Sequence, residues 1–231
     1  MTSVLAVAAV NVAPVATAIR CGRPSILPHL AGVGAPSGIA LTFDDGPDAV
    51  STPLFMAELD RLGWSATFFV VGDMVRRNPS LVRELVAAGH EVALHGDRHR
   101  AHIWRTPRDV VHDLRRAYDT IAEVAGIEPR WFRPPHGYLS AGSLLGARTL
   151  GVRTVLWTAW GRDWTAQATP ESVARTVARD LRPGGTVLLH DADCTSAPGA
   201  WRSALGALPL LADRIATQNL RVVALRDHWA T

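Results

Sequence analysis

The sequence predicts an α/β fold whose parallel strands curl into a closed or nearly closed barrel. Three observations lead there. Seven short apolar segments recur along the chain, helical stretches alternate with them in strict β-then-α order, and no long antiparallel stretch interrupts the series. An open doubly wound sheet is the architectural alternative. A length of 231 residues suits one barrel domain, and 48% hydrophobic residues are enough for a substantial core.

The elements follow from local pattern. Ile39–Phe43 is the first strand, bounded by Gly38 and by Gly46-Pro47, with Asp44 and Asp45 where it stops. Thr52-Pro53 predicts a helix start, and Phe55, Leu59 and Leu62 make its apolar face before Gly63. Ala66–Val71 is the second strand. Asn78-Pro79 opens a helix with Leu81, Val82, Leu85 and Val86 inward, and Glu91–Leu94 is the third strand. Thr106-Pro107 starts a helix whose stripe is Val110, Leu114, Ala117, Ile121 and Val124. Strands at Arg130–Arg133, Thr154–Thr158, Thr186–Leu189 and Leu220–Leu225 flank helices at Ala141–Leu150, from Thr169-Pro170, and at Trp201–Ala216. Residues 1–37 read as an N-terminal arm, with a Pro/Gly-rich linker from 24 onward, and 38–229 as a single domain.

Composition excludes several classes. The net charge of +3 is mild, and its 24 basic residues, all arginine, are scattered, so nothing suggests nucleic acid. Two cysteines, Cys21 and Cys194, make no disulfide framework and no Cys-rich zinc site. Val4–Ile19 is apolar but lacks a basic leader and is short for a spanning helix, so no convincing export signal emerges; the compartment, cytoplasm or cell envelope, stays open. No obligate protein partner is evident.

The reactive residues share a phase. Asp44 and Asp45 follow the first strand, His95 and His99 the third, Arg133 ends the fourth, Asp163 and Trp164 follow the fifth, and His190-Asp191 the sixth. In a parallel barrel all lie at the C-terminal rim, where active sites sit. Neighbouring strand-end acids are expected to point in different directions. The i, i+4 spacing of His95 and His99 would put both imidazoles on one side of a helical turn, and with one carboxylate they form a three-ligand metal site. His102 is close enough to lend support, whereas His29, His112 and His228 have no such context.

Thr42-Phe43-Asp44-Asp45-Gly46-Pro47, His95-Gly96-Asp97-Arg98-His99, Arg133-Pro134-Pro135-His136-Gly137, Asp163-Trp164 and Leu188-Leu189-His190-Asp191 resemble, in order, the five motifs of the polysaccharide deacetylases, the NodB-like carbohydrate esterases of family 4. The resemblance spans about residues 38–229. It implies a distorted seven-stranded (β/α) barrel and metal-dependent removal of acetyl groups from a glycan or amino sugar. It further implies that Asp45, His95 and His99 hold a divalent ion, zinc first, with cobalt, nickel, manganese or iron as alternatives. Asp44 would be the general base, paired with Arg133, and His190 the general acid, oriented by Asp163. The His136 backbone N–H would face the oxyanion, and Leu188, Trp160 and Trp164 would line the substrate pocket, the indoles offering faces for sugar rings.

Three positions depart from the family pattern. Gly96 stands where many relatives carry Ser or Thr, Trp160 where an Asp is common, and His136 where Tyr or Phe is common. These departures bear on substrate choice more than on reaction type. Within the same chemistry, an O-acetyl esterase or a deformylase or amidase of a sugar conjugate remains open. From other classes, two histidines and a carboxylate also suit a non-haem iron oxygenase, and an inactive carbohydrate-binding barrel is the third reading.

Overall fold

The computed structural model describes residues 11–14 and 23–229. Of the apolar stretch Val4–Ile19 only residues 11–14 are described, and Cys21 lies outside the described residues. Among those described, no helix is long and apolar enough to cross a membrane.

Strand β1, Gly38–Asp44, is buried at all seven positions and anchors the sheet. It is followed by α1 (Thr52–Leu62), β2 (Thr67–Val70), α2 (Gly72–Arg77), α3 (Pro79–Ala87), β3 (Glu91–Leu94), α4 (Pro107–Ala125) and β4 (Trp131–Phe132). The second half runs through α5 (Ala141–Leu150), β5 (Arg153–Thr154), β6 (Ala159–Trp160), α6 (Pro170–Asp180), β7 (Thr186–His190), α7 (Trp201–Thr217), β8 (Arg221–Val223) and α8 (Leu225–His228). Every strand pair is parallel. The hydrogen-bonded order is β5-β4-β3-β2-β1-β7-β6, with β8 beside the start of β1. Read as a ring, that order is sequential with one unpaired gap between β5 and β6. This is a curled, barrel-like sheet, and the doubly wound alternative falls away because the order never reverses at a switch point.

The helices form where the apolar stripes required. On α4, Val110, Leu114, Ala117 and Ile121 are all fully buried, and the Thr106 hydroxyl accepts the Asp109 N–H as its cap. Thr169 caps α6 in the same way, with Ser172 returning the bond. Thr52 departs from expectation. It is the first residue of α1 and makes no cap; its hydroxyl accepts from the Asp48 N–H and donates to Asp191. Helix α2 was not anticipated.

Two further readings are corrected. The segment Thr154–Thr158 is not one strand. Only Thr154 belongs to a strand, β5, and β6 begins after Thr158; between them Val155 N–H donates to Phe132 O, Leu156 N–H to Leu30 O and Thr158 N–H to Thr186 O, and Arg133 takes the carbonyls of Val155 and Leu156. Among the described residues there are eight strands where seven were expected. The supposed linker from residue 24 also packs. Helical turns at Arg23–Ile26 and Pro28–Ala31 bury Arg23 and Ala31. Gly34 N–H donates to Gly184 O, and Thr186 Oγ1 and His228 Nε2 both reach Gly32 O.

Candidate active site

Register places the reactive residues together. Asp44 pairs with His190 across β1 and β7, and with Phe69 across β1 and β2. Asp44 is the last residue of β1, but Asp45 has left the strand with φ 82°. That left-handed turn cancels the strand alternation that would have sent the two carboxylates apart. Both instead face His95, whose Nε2 lies 3.6 Å from Asp44 Oδ2 and 3.4 Å from Asp45 Oδ1.

His95 and His99 do not share a helical turn. Residues 95–101 are irregular, and positive φ values at Gly96 (81°) and His99 (47°) fold the loop so that the two rings lie 5.0 Å apart between centroids. The loop is pinned from behind. Gly72 N–H donates to Gly96 O, Asp73 N–H to Asp97 O, and Asp97 N–H to Asp113 Oδ2. Arg76 reaches the buried Asp97 carboxylate at 2.7 Å.

Asp45, His95 and His99 fit a divalent ion. Their ligand atoms all lie within 4.8 Å of one another. Asp45 Oδ1 is buried, has no hydrogen-bond partner, and is 3.0 Å from His99 Nε2. The Nδ1 of His95 is 2.8 Å from Arg133 O, so an N–H there leaves the Nε2 lone pair aimed at the cluster, the usual support for a ligating histidine. Burial works against charge on Asp45, but the neighbouring imidazoles of His95 and His99, and the more distant His190, outweigh it and hold its carboxyl well below the ordinary range.

Arg133 is wholly buried at the end of β4. Its guanidinium donates to Asp44 Oδ1 at 2.7 Å, Thr42 Oγ1 at 2.9 Å and Leu156 O at 2.8 Å, and lies 4.1 Å from the centre of the Phe69 ring. On the facing side, Asp163 accepts both the His190 backbone N–H, at 2.7 Å, and its ring Nδ1–H, at 3.1 Å. Burial opposes charge on this imidazole, yet the Asp163 carboxylate and the more distant Asp45 and Asp44 prevail and raise it to about 10. Trp157, Trp160 and Trp164 form a continuous series ending against His190, with successive centroid distances of 5.9, 5.0 and 5.6 Å.

These groups line one pocket of about 340 Å³. Asp44, Asp45, His95, His99, His136, Trp160, Trp164, Leu188 and His190 all face it. Arg133 and Asp163 stand behind it, each one hydrogen bond away.

Comparison with known proteins agrees with this geometry. Residues 32–155 match the model of the family described as Polysaccharide deacetylase. The chain belongs to the polysaccharide deacetylase family. Among curated relatives, a peptidoglycan-N-acetylglucosamine deacetylase of Bacillus cereus is 35% identical over 66% of this chain and 72% of its own. A chitooligosaccharide deacetylase of Sinorhizobium fredii is 37% identical over 69% and 74%. Among solved structures, a family 4 carbohydrate esterase from Streptomyces lividans, in complex with acetate, superposes with a TM-score of 0.72 at 31% identity, covering 82% of this chain and 93% of its own.

This deacetylase-family site also contains residues that sequence reasoning missed. Gly137, Tyr138, Thr195 and Ser196 line the pocket, as does Trp157, which the sequence places with Trp160 and Trp164 beside the rim. Gly137 ends a recognised motif and Tyr138 follows it, so both were within reach of the pattern. Thr195 lies four residues beyond Asp191 in a loop with no periodicity, and only its contact with Asp45 marks it. His102 supports the site at one remove: it is fully buried, bonds Ser143 Oγ through Nδ1 and stacks on Phe132, and burial lowers it to about 4.

Proposed function

We propose that this chain is a metal-dependent hydrolase that removes N-acetyl groups from a glycan or amino-sugar substrate, acting on carbon–nitrogen bonds outside peptides. One observation carries the reading: a three-ligand metal cluster, an Arg-paired carboxylate and an Asp-paired imidazole converge on one pocket. The named deacetylases among the relatives place glycan deacetylation within the family.

Asp45, His95 and His99 would hold the ion, with zinc the proposed metal because a mixed imidazole and carboxylate set suits it. When bound, the ion supplies Lewis acidity that polarises the acetyl carbonyl and acidifies water. Asp44 lies beside the cluster and takes the proton from the attacking water. Arg133 fixes Asp44 in position through the 2.7 Å bond to Oδ1, leaving Oδ2 toward the ligands. His190, its Nδ1–H held by Asp163, presents Nε2 to the pocket and protonates the leaving nitrogen. The His136 backbone, at φ 58° on the pocket edge, would turn its N–H to the oxyanion. Leu188 and Trp164 would enclose the acetyl group, and Trp160, in place of a charge, would give the sugar ring an apolar face.

Acetate release tests it. Metal-loaded protein should release acetate from chitin oligosaccharides or peptidoglycan and stop when chelated. The same assay on acetylated xylan and free N-acetylglucosamine separates ester from amide and polymer from monomer. Failure on all four substrates in the metal-loaded state would remove the proposal.

A further inference from the structure

Asp45 sits on a left-handed turn, where the backbone alone does not dictate which carboxylate oxygen meets the imidazoles. The two oxygens nevertheless differ. Oδ1 is the buried, unpartnered atom between His95 and His99, whereas Oδ2 accepts a 2.7 Å hydrogen bond from Thr195 Oγ1. Thr195 belongs to the loop between β7 and α7, far from the other ligand loops in sequence. That loop is itself fastened. Cys194 Sγ donates to Asp45 O at 3.6 Å, Ser196 N–H to Asp193 O, and Ala197 N–H to Trp164 O at 3.0 Å. It therefore ties the carboxylate of the metal cluster to the aromatic wall of the pocket. Position 96, next to His95, is a glycine and offers no hydroxyl.

We propose that Thr195 is a positioning residue for metal binding: its hydroxyl engages Asp45 Oδ2 and so commits Oδ1 to the ion. The inference rests on the metal-dependent reading above. A donor on one oxygen removes the equivalence of the two and holds the carboxylate plane against rotation. Loss of such an outer contact costs about 10–100-fold in metal affinity. Threonine, serine and valine separate the hydroxyl from its methyl group, because valine keeps the shape and serine keeps the bond.

The test uses the full chain stripped of metal and titrated with Zn²⁺ against a competing chelator, with thermal unfolding of each metal-free form alongside. Thr195→Val should weaken zinc binding by about 10–100-fold with an unchanged melting temperature, and Thr195→Ser should bind within about threefold of the wild type. Equal affinity in wild type and Thr195→Val overturns the proposal. So does a Thr195→Val variant that already melts early without metal, which would make the residue a fold determinant. Asp45→Ala is the reference. If wild type binds zinc no better than Asp45→Ala, the metal reading itself fails; if it binds far better while Thr195→Val matches it, only the role of Thr195 fails.

Discussion

Asp44 and Asp45 are neighbours in the chain with different surroundings. Asp44 receives the Arg133 guanidinium, while Asp45 receives two imidazoles and the Thr195 hydroxyl. Those partners support the proposed assignment of Asp44 as base and Asp45 as ligand, and the two roles separate in experiment. Asp44→Asn should keep its metal and lose about 10²–10⁴-fold in turnover; a variant with near-normal turnover would displace Asp44 from the base role. His190 allows a second residue-scale prediction. Its folded value of about 10 lies above the ordinary 6.5, so protonation favours the folded state. The stabilisation is complete below about pH 6.5 and is lost as pH rises through about 10. In metal-free protein, the stability advantage of wild type over His190→Gln should therefore be present near neutrality and vanish in strong alkali. An advantage independent of pH, followed by denaturant titration, would show that the Asp163 contact carries no charge.

At the scale of elements, loops rather than strands shape the site, and glycine permits two different kinds of turn. Gly63 ends α1 at φ 68°, with nothing within 4 Å of where a Cβ would stand. Gly137 follows His136 at φ 73°, and a Cβ there would meet the Trp157 ring at 2.5 Å. Gly63→Ala should cost about 1 kcal/mol from backbone strain alone. Gly137→Ala should cost more and also raise KM, because Trp157 lines the pocket and cannot stay where it is. Denaturation curves with steady-state kinetics on both variants check this, and equal effects would mean that the Trp157 wall yields freely.

At the scale of the molecule, the open seam between β5 and β6 is closed from outside the sheet. Leu30 O takes the Leu156 N–H, and Arg23, 4% exposed, bonds Trp157 O and stacks against its ring at 5.5 Å. The same backbone stretch gives its other carbonyls to Arg133. Residues 23–34 thus support the seam that orients the buried arginine. Arg23→Ala should lower stability by about 1.5–3 kcal/mol, the range for a hydrogen bond to a charged group, and reduce turnover without changing metal content. Unaltered unfolding would show that the arm merely rests on the surface.

The alternation of strand and helix, the rim placement of the reactive residues and the motif identities were legible in the sequence, because period and punctuation are local properties of a chain. Val110, Leu114, Ala117 and Ile121 could bury one face in no other way. The convergence of Asp44 with Asp45, the irregular loop that brings His95 to His99, the interruption of Thr154–Thr158 and the docking of residues 23–34 were not legible. Each depends on a positive φ or on a hydrogen bond between residues far apart in the chain. Sequence thus determined which chemical groups reach the rim of this barrel. Tertiary structure alone decided which atoms of those groups face one another, since that choice rests on contacts such as Thr195 to Asp45, which have no periodicity to betray them.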